Sequence, residues 1–415
     1  MQSPRNSDGR EPAVFGRFFR QMGPAWVISA VACGPATMAS VSIAGAHYGY
    51  RLLWVVVLSA LLAFVVQFMA AKVGLIGGKG IIALVEERWG NVWAWILMID
   101  ALLATWLAAA VLMKALVETT GLVTGMVTPW WSLIYVVLIF FLVGIGGYRW
   151  VERICKILVS IVVVCFVVTV IKIRPDLSGL ARGLVPTFPP GSQGALMMAG
   201  IMGGAVHVTI IAMHTYNVNA RNWGPEEMGL AWTDTFLSMF LAFGIYSVTL
   251  FVASASVLHP QGIEVKTAFD LARPLKPVLG VYAHGIFLAG FWAAVFSTIM
   301  PTYLAAGYFI ADKIKWTISV RDTRFKGVVF LGCLISIVGP LVKGSFLILL
   351  VVMLALGLCG TPLVVFILLF LLNQKQWAKG HRNGWLLNLI GAAALSITTL
   401  LAVRFILAKT GIWTG

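Results

Sequence analysis

Residues 31–40 read VACGPATMAS and interrupt an apolar run that begins near Trp26 and ends near Tyr48. A proline removes a backbone N–H and clashes with the preceding turn, and an adjacent glycine weakens a helix further. About 20 apolar residues suffice to cross a bilayer, so the interruption falls near the middle of a span. Backbone groups left unpaired at that depth cannot face lipid; they are buried in protein or line a cavity. The short string Gly34-Pro35-Ala36-Thr37 thus points at once to a fold and to a site.

The rest of the chain has the same character. Of its 415 residues 60% are hydrophobic and 11% charged, whereas about a quarter of a soluble domain is charged. Apolar stretches recur near 26–48, 52–75, 92–116, 130–147, 154–173, 194–217, 236–258, 280–311, 327–342, 346–372 and 385–408. These lengths predict an all-α polytopic membrane protein of eleven transmembrane helices, and the alternation of a β-barrel is absent. One membrane domain, residues 26–415, follows a polar N-terminal tail, residues 1–25, that has no signal-peptide h-region.

The formal charge is +15, but the basic residues are scattered through short loops, so a nucleic-acid partner is not expected. The charge reads as topology. Arg5, Arg10, Arg17 and Arg20, then Lys313, Lys315, Arg321, Arg324 and Lys326, then Lys375, Lys379 and Arg382 fall on one side, against Arg51, Lys266, Arg273 and Lys276 on the other. The asymmetry predicts a cytoplasmic N-terminus in the cell membrane. Cys33, Cys155, Cys165, Cys333 and Cys359 lie in apolar segments without CxxC spacing and read as small buried residues.

A second span is also interrupted. The sixth carries GGAVHVTIIAMHTYN, residues 203–217, with Gly203-Gly204 followed by His207, Thr209 and His214. The first and sixth spans open two five-span halves, about 26–173 and 194–372, with 385–408 as an extra helix. Broken helices at matching positions of two halves are the best sequence pointer to a transporter's substrate site. No GxSxG, HExxH or Walker pattern is present. LIGGKG (75–80) has no strand before it and is no phosphate loop, so no enzyme is expected.

GPAWVISAVACGPATMAS (23–40) and HYGYRLLWVVVLSALLAFVVQFMAAKVGLIGGKG (47–80) resemble the NRAMP family of transition-metal transporters, and the likeness runs over nearly the whole chain. The resemblance implies a LeuT-type 5+5 inverted repeat with helices 1 and 6 broken. It also implies a departure. Where the family has Asp-Pro-Gly-Asn, with Asp and Asn binding metal, this chain has Gly34, Pro35, Ala36 and Thr37. Where the family has Met-Pro-His, the alignment gives Val208, Thr209 and Ile210. A metal-binding Gln of the tenth span matches a position near Cys359, and apolar residues around Leu107 and Ala110 stand where the third span's acidic residues would be, with Asp100 remaining.

A divalent ion needs oxygen or nitrogen ligands and usually negative charge to offset its dehydration. Without the Asp, the helix beginning at Pro35 points unpaired N–H groups and a positive dipole end into the cavity, which favours an anion. The expected substrate site is Gly34, Pro35, Ala36, Thr37, His207, Val208 and Thr209, with Thr37 either capping the helix or donating to the ligand. Its cargo is expected to be a small anion such as bicarbonate or a carboxylate. Asp100, Ser297 and Thr298 are candidates for a coupling ion, Na⁺ or H⁺, and no other cofactor or metal is implied. Lys72 and Lys114 read as snorkelling, Asp100 as free to pair with either, and the protein as a monomer in the bilayer. Two readings stand beside this one: divalent-metal transport (Mn²⁺, Fe²⁺ or Mg²⁺) with rearranged ligands, and a non-transporting signalling membrane domain.

Overall fold

The computed structural model describes residues 23–145, 148–319, 321–378 and 380–412; the basic tail, the end of the fourth expected span and Lys379 lie outside them. The described chain is helical, with no strand: α1 (Pro24–Ala32), α2 (Pro35–Tyr48), α3 (Leu53–Gly77), α4 (Ile81–Trp89), α5 (Asn91–Thr124), α6 (Trp130–Ile145), α7 (Tyr148–Ile173), α8 (Leu177–Gly183), α9 (Gly191–Ala205) and α10 (Val208–Ala220). There follow α11 (Met228–Thr235), α12 (Phe243–Val257), α13 (Ala268–Ala272), α14 (Lys276–Leu279), α15 (Ala283–Ile314), α16 (Thr323–Ser336), α17 (Phe346–Cys359), α18 (Thr361–Asn373) and α19 (Trp385–Lys409). Among the described residues nine helical runs are long and apolar enough to cross a membrane, with Trp130–Leu142 a shorter apolar helix. The first of the nine, Pro35–Gly77, holds the second half of the first expected span and the whole of the second, divided at Gly49, whose φ of 58° favours glycine.

Both expected interruptions are present. Pro35 is the first residue of α2, where its missing N–H costs nothing, and Gly34 before it is extended (φ −75°, ψ −179°). α9 stops at Ala205, Val206 and His207 leave the helical region, and His207 caps α10. α2, α9 and α10 are buried on nearly every side, as helices that are apolar all round must be. α7 and α19 are peripheral and turn large apolar side chains such as Ile157 and Leu389 outward, the face a lipid chain would cover.

A third interruption was not expected. The tenth span divides at Gly360 into α17 and α18, with Pro362 in the first turn of α18. The ninth also ends early: α16 finishes at Ser336, and Gly339 sits so close to α5 that a Cβ would lie 1.8 Å from the Ala110 carbonyl. A π-helical turn, Phe236–Ala242, precedes α12; its Ser238 carbonyl is taken up by the Ser29 hydroxyl at 2.8 Å. Widened turns of this kind free a carbonyl for such a partner.

Candidate functional site

The two breaks meet. Between them lies a cavity of about 60 Å³, walled by Gly34, Pro35, Ala36 and Thr37 from the first break and by Gly203, Gly204, His207 and Thr209 from the second. α15 contributes Thr298 and Thr302, α17 contributes Met353 and Leu354, and α5 contributes Ala108 and Leu112. The volume accommodates a few waters or an ion of a few heavy atoms, well short of the roughly 300 Å³ of a pocket for larger organic ligands.

Thr37 is the third residue of α2, and Gly34 is the N-cap, without a side-chain bond. The capping role expected as one option for Thr37 is therefore not realised. Its hydroxyl makes no hydrogen bond among the described residues and lies against Gly204, where a Cβ would come within 2.5 Å of Thr37 Oγ1. The first intrahelical bond of α2 is from Met38 N to Gly34 O, 3.2 Å, so the amides of Ala36 and Thr37 have no acceptor within the helix. The Gly34 carbonyl also accepts from the Tyr246 hydroxyl at 3.3 Å.

His207 receives the amide of Thr209 on Nδ1 at 3.2 Å. That bond fixes Nδ1 as the acceptor, so a neutral ring carries its proton on Nε2. Nε2 has no hydrogen bond of ordinary geometry and points to α17, beside the Met353 carbonyl and Gly357. Only glycine fits there: a Cβ on residue 357 would stand 1.7 Å from Nε2. Thr209 Oγ1 meets Thr105 Oγ1 at 3.2 Å, and Thr105 already donates to the Ala101 carbonyl at 2.6 Å. Thr209 is consequently the donor of that pair.

Several expected residues lie elsewhere. Val208 is fully buried and does not line the cavity, because on a helix the residue beside His207 is turned about 100° away. Ser297 faces away too, its hydroxyl bonded to the Ala294 carbonyl at 3.2 Å, while Thr298 next to it lines the wall beside Gly34. Asp100 is not at the breaks. Its carboxylate packs against Gly360 at the third interruption, and neither expected lysine reaches it. Lys72 is buried and bonded to Asn383 Oδ1 at 3.0 Å in the loop before α19, and Lys114 is buried and paired with Glu118. His214 bonds Gln67 at 3.0 Å outside the cavity.

The tenth span reaches the site through Met353 and Leu354, more than a turn before Cys359, which bonds the Ala355 carbonyl instead. Sequence reasoning missed these residues and Thr302. It also missed Thr361, which closes the second break by donating to the Val206 carbonyl at 2.8 Å. The string Gly360-Thr361-Pro362 was the available signal. Among the described residues no group of three His, Cys, Asp or Glu is placed to hold a metal ion.

Two broken helices crossing at a small buried cavity, within a bundle of apolar spans, define a secondary transporter of the LeuT type. The similarities agree. A solved manganese transporter of Eremococcus coleocola superposes with a TM-score of 0.71 at 18% identity, covering 97% of this chain and 89% of that one. The nucleobase-cation-symport-1 transporter Mhp1 superposes at 0.61 with 16% identity, covering 94% and 93%. The family model of natural resistance-associated macrophage protein-like proteins (Nramp) matches residues 25–408, and the chain belongs to that family. Among its relatives, the divalent metal cation transporter MntH of Deinococcus radiodurans is 29% identical over 299 residues, 69% of this chain and 67% of that protein. MntH of Yersinia pestis is 28% identical over 358 residues, 83% and 85%.

Proposed function

We propose that this Nramp-family transporter carries a small anion, such as bicarbonate or a short carboxylate, in place of a transition metal. One observation carries the reading: the cavity at the two breaks has an apolar wall, a free hydroxyl and a helix N-terminus facing it, and no carboxylate. Thr37 offers a free hydroxyl, and the N-terminus of α2 offers the amides of Ala36 and Thr37 and a positive dipole end. A bare divalent cation would meet only neutral groups, with no charge to offset its dehydration. The small cavity agrees with a cargo of a few heavy atoms. Thr298 beside the Gly34 turn is the place for a coupling ion, and the N-terminus is taken as cytoplasmic.

The second reading keeps a divalent cation as cargo, and what favours it is the relatives named as divalent metal cation transporters. Purified protein in liposomes separates the two. Bicarbonate entering a vesicle takes up protons and alkalinises the lumen, whereas CO2 leaking across the lipid acidifies it. Protein-dependent alkalinisation supports the anion; protein-dependent quenching of an enclosed Mn²⁺-sensitive dye supports the cation.

A further inference from the structure

Cavities open at opposite ends of the spans, and their charges differ. Where α3 and α10 end, a cavity of about 760 Å³ is lined by Lys79 and Lys315 against Glu87 and Asp312, a balanced set. At the Tyr48 end of α2, a cavity of about 690 Å³ is lined by Arg51, Arg174 and Arg182 against one carboxylate, Asp176. None of these three guanidinium groups has an ion pair or a hydrogen bond among the described residues. Asp176 is already engaged: it caps α8 through the amides of Ser178 and Gly179 at 3.0 Å and receives the Ser178 hydroxyl. Those bonds hold its carboxyl below the usual carboxylate range, with the charge of Arg182 a smaller cause.

The arginines are held by ordered backbone. A Cβ on Gly183 would lie 2.4 Å from the Tyr50 carbonyl, so α8, which carries Arg182, is pressed onto the segment that carries Arg51. The Arg51 carbonyl accepts from the Thr187 hydroxyl at 2.9 Å. Arg174 sits in left-handed backbone, φ 52°, at the turn from α7 to α8, a conformation few residues other than glycine adopt. His259 on the same wall bonds the Ala46 carbonyl through Nδ1.

We propose that this cavity is an anion site, distinct from the one at the breaks, in which Arg51, Arg174 and Arg182 together bind a phosphate- or carboxylate-type oxyanion. The planar guanidinium fork matches such oxygens two at a time, and a cleft of one charge sign with low-dielectric walls concentrates counter-ions. Topology alone does not explain the cluster. On the orientation taken above this is the extracytoplasmic end, where the bias runs against Lys and Arg. A free anion and the phosphate of a lipid headgroup offer the same chemistry.

The test uses the full chain in phosphatidylcholine nanodiscs, with the rate of hydroxyphenylglyoxal modification at each arginine read by mass spectrometry. Sodium phosphate and sodium bicarbonate are compared with sodium chloride at matched ionic strength, and exposed Arg321 at the other end is the reference. The expected result is that either oxyanion slows Arg51, Arg174 and Arg182 together by at least threefold and leaves Arg321 unchanged. In Arg182→Gln, whose melting temperature checks the fold, protection of the other two is lost. Slowing that appears only when phosphatidylglycerol is added to the nanodisc identifies a headgroup as the occupant of the same site. Unchanged rates in both lipids, or protection of Arg51 and Arg174 that persists in Arg182→Gln, overturn the proposal. The readout involves no transport, so it succeeds or fails separately from the cargo.

Discussion

Thr37 stands where one hydroxyl decides most. It faces the cavity, has no protein partner among the described residues and touches Gly204. Thr37→Val keeps the shape and removes the donor. A hydrogen bond to a charged group contributes about 1.5–3 kcal/mol, so the KM for bicarbonate uptake rises by roughly ten- to a hundredfold with little change in melting temperature. A large loss of stability with unchanged KM would mean that Thr37 only packs. Gly204→Ala acts from the opposite wall: its Cβ would lie 2.5 Å from Thr37 Oγ1, so uptake falls to background in protein that still folds. Gly203→Ala differs, since its Cβ would meet the Leu354 carbonyl at 2.1 Å. Backbone cannot step aside as a side chain can, so this variant loses about 1–3 kcal/mol of stability, read as a lower melting temperature. At this scale the sequence was partly legible. The breaks in the sequence led to Gly34, Thr37, His207 and Thr209, which wall the cavity, but Val208 and Ser297 were each one helical position away from a residue that does.

The half-helices are short and must be held at their far ends. α1 has nine residues, too few to be stable alone, and its N-terminus is capped from outside the helix. Asp234 accepts the Gly23 amide at 2.9 Å and the Ala25 amide at 2.8 Å. Asp234→Ala leaves those buried amides without partners, at a cost of about 1–3 kcal/mol. Hydrogen exchange over residues 24–32 then accelerates at least fivefold, while α5 and α15 keep their protection. Equal acceleration everywhere would mean global destabilisation rather than release of one element. The breaks of α1–α2 and α9–α10 were legible because Gly-Pro and Gly-Gly stand inside apolar runs. The division at Gly360 was not read from Gly360-Thr361-Pro362, since proline in a first helical turn disturbs little. With it went Met353, Leu354 and the Val206 carbonyl bond of Thr361, contacts that depend on how α17 crosses α9 rather than on either sequence alone.

Across the whole molecule the fold is the family's, while the residues at the first break set this chain its own question of cargo. The chain belongs to the Nramp family over residues 25–408 and folds like a manganese transporter, yet Gly-Pro-Ala-Thr occupies the first break. Fold class followed from composition and period because a bilayer leaves few ways to satisfy a backbone. Cargo was less legible, because it is set by a handful of side chains whose convergence only the packed structure displays. The most direct test is bicarbonate addition to proteoliposomes that enclose a pH dye, run beside Mn²⁺ addition to vesicles that enclose a metal-sensitive dye. Protein-dependent alkalinisation with bicarbonate, weakened in Thr37→Val, and no protein-dependent quenching with Mn²⁺ are the expected results. Strong Mn²⁺ quenching with no alkalinisation would contradict the proposed anion cargo and make the cavity at the breaks a metal site built from neutral ligands.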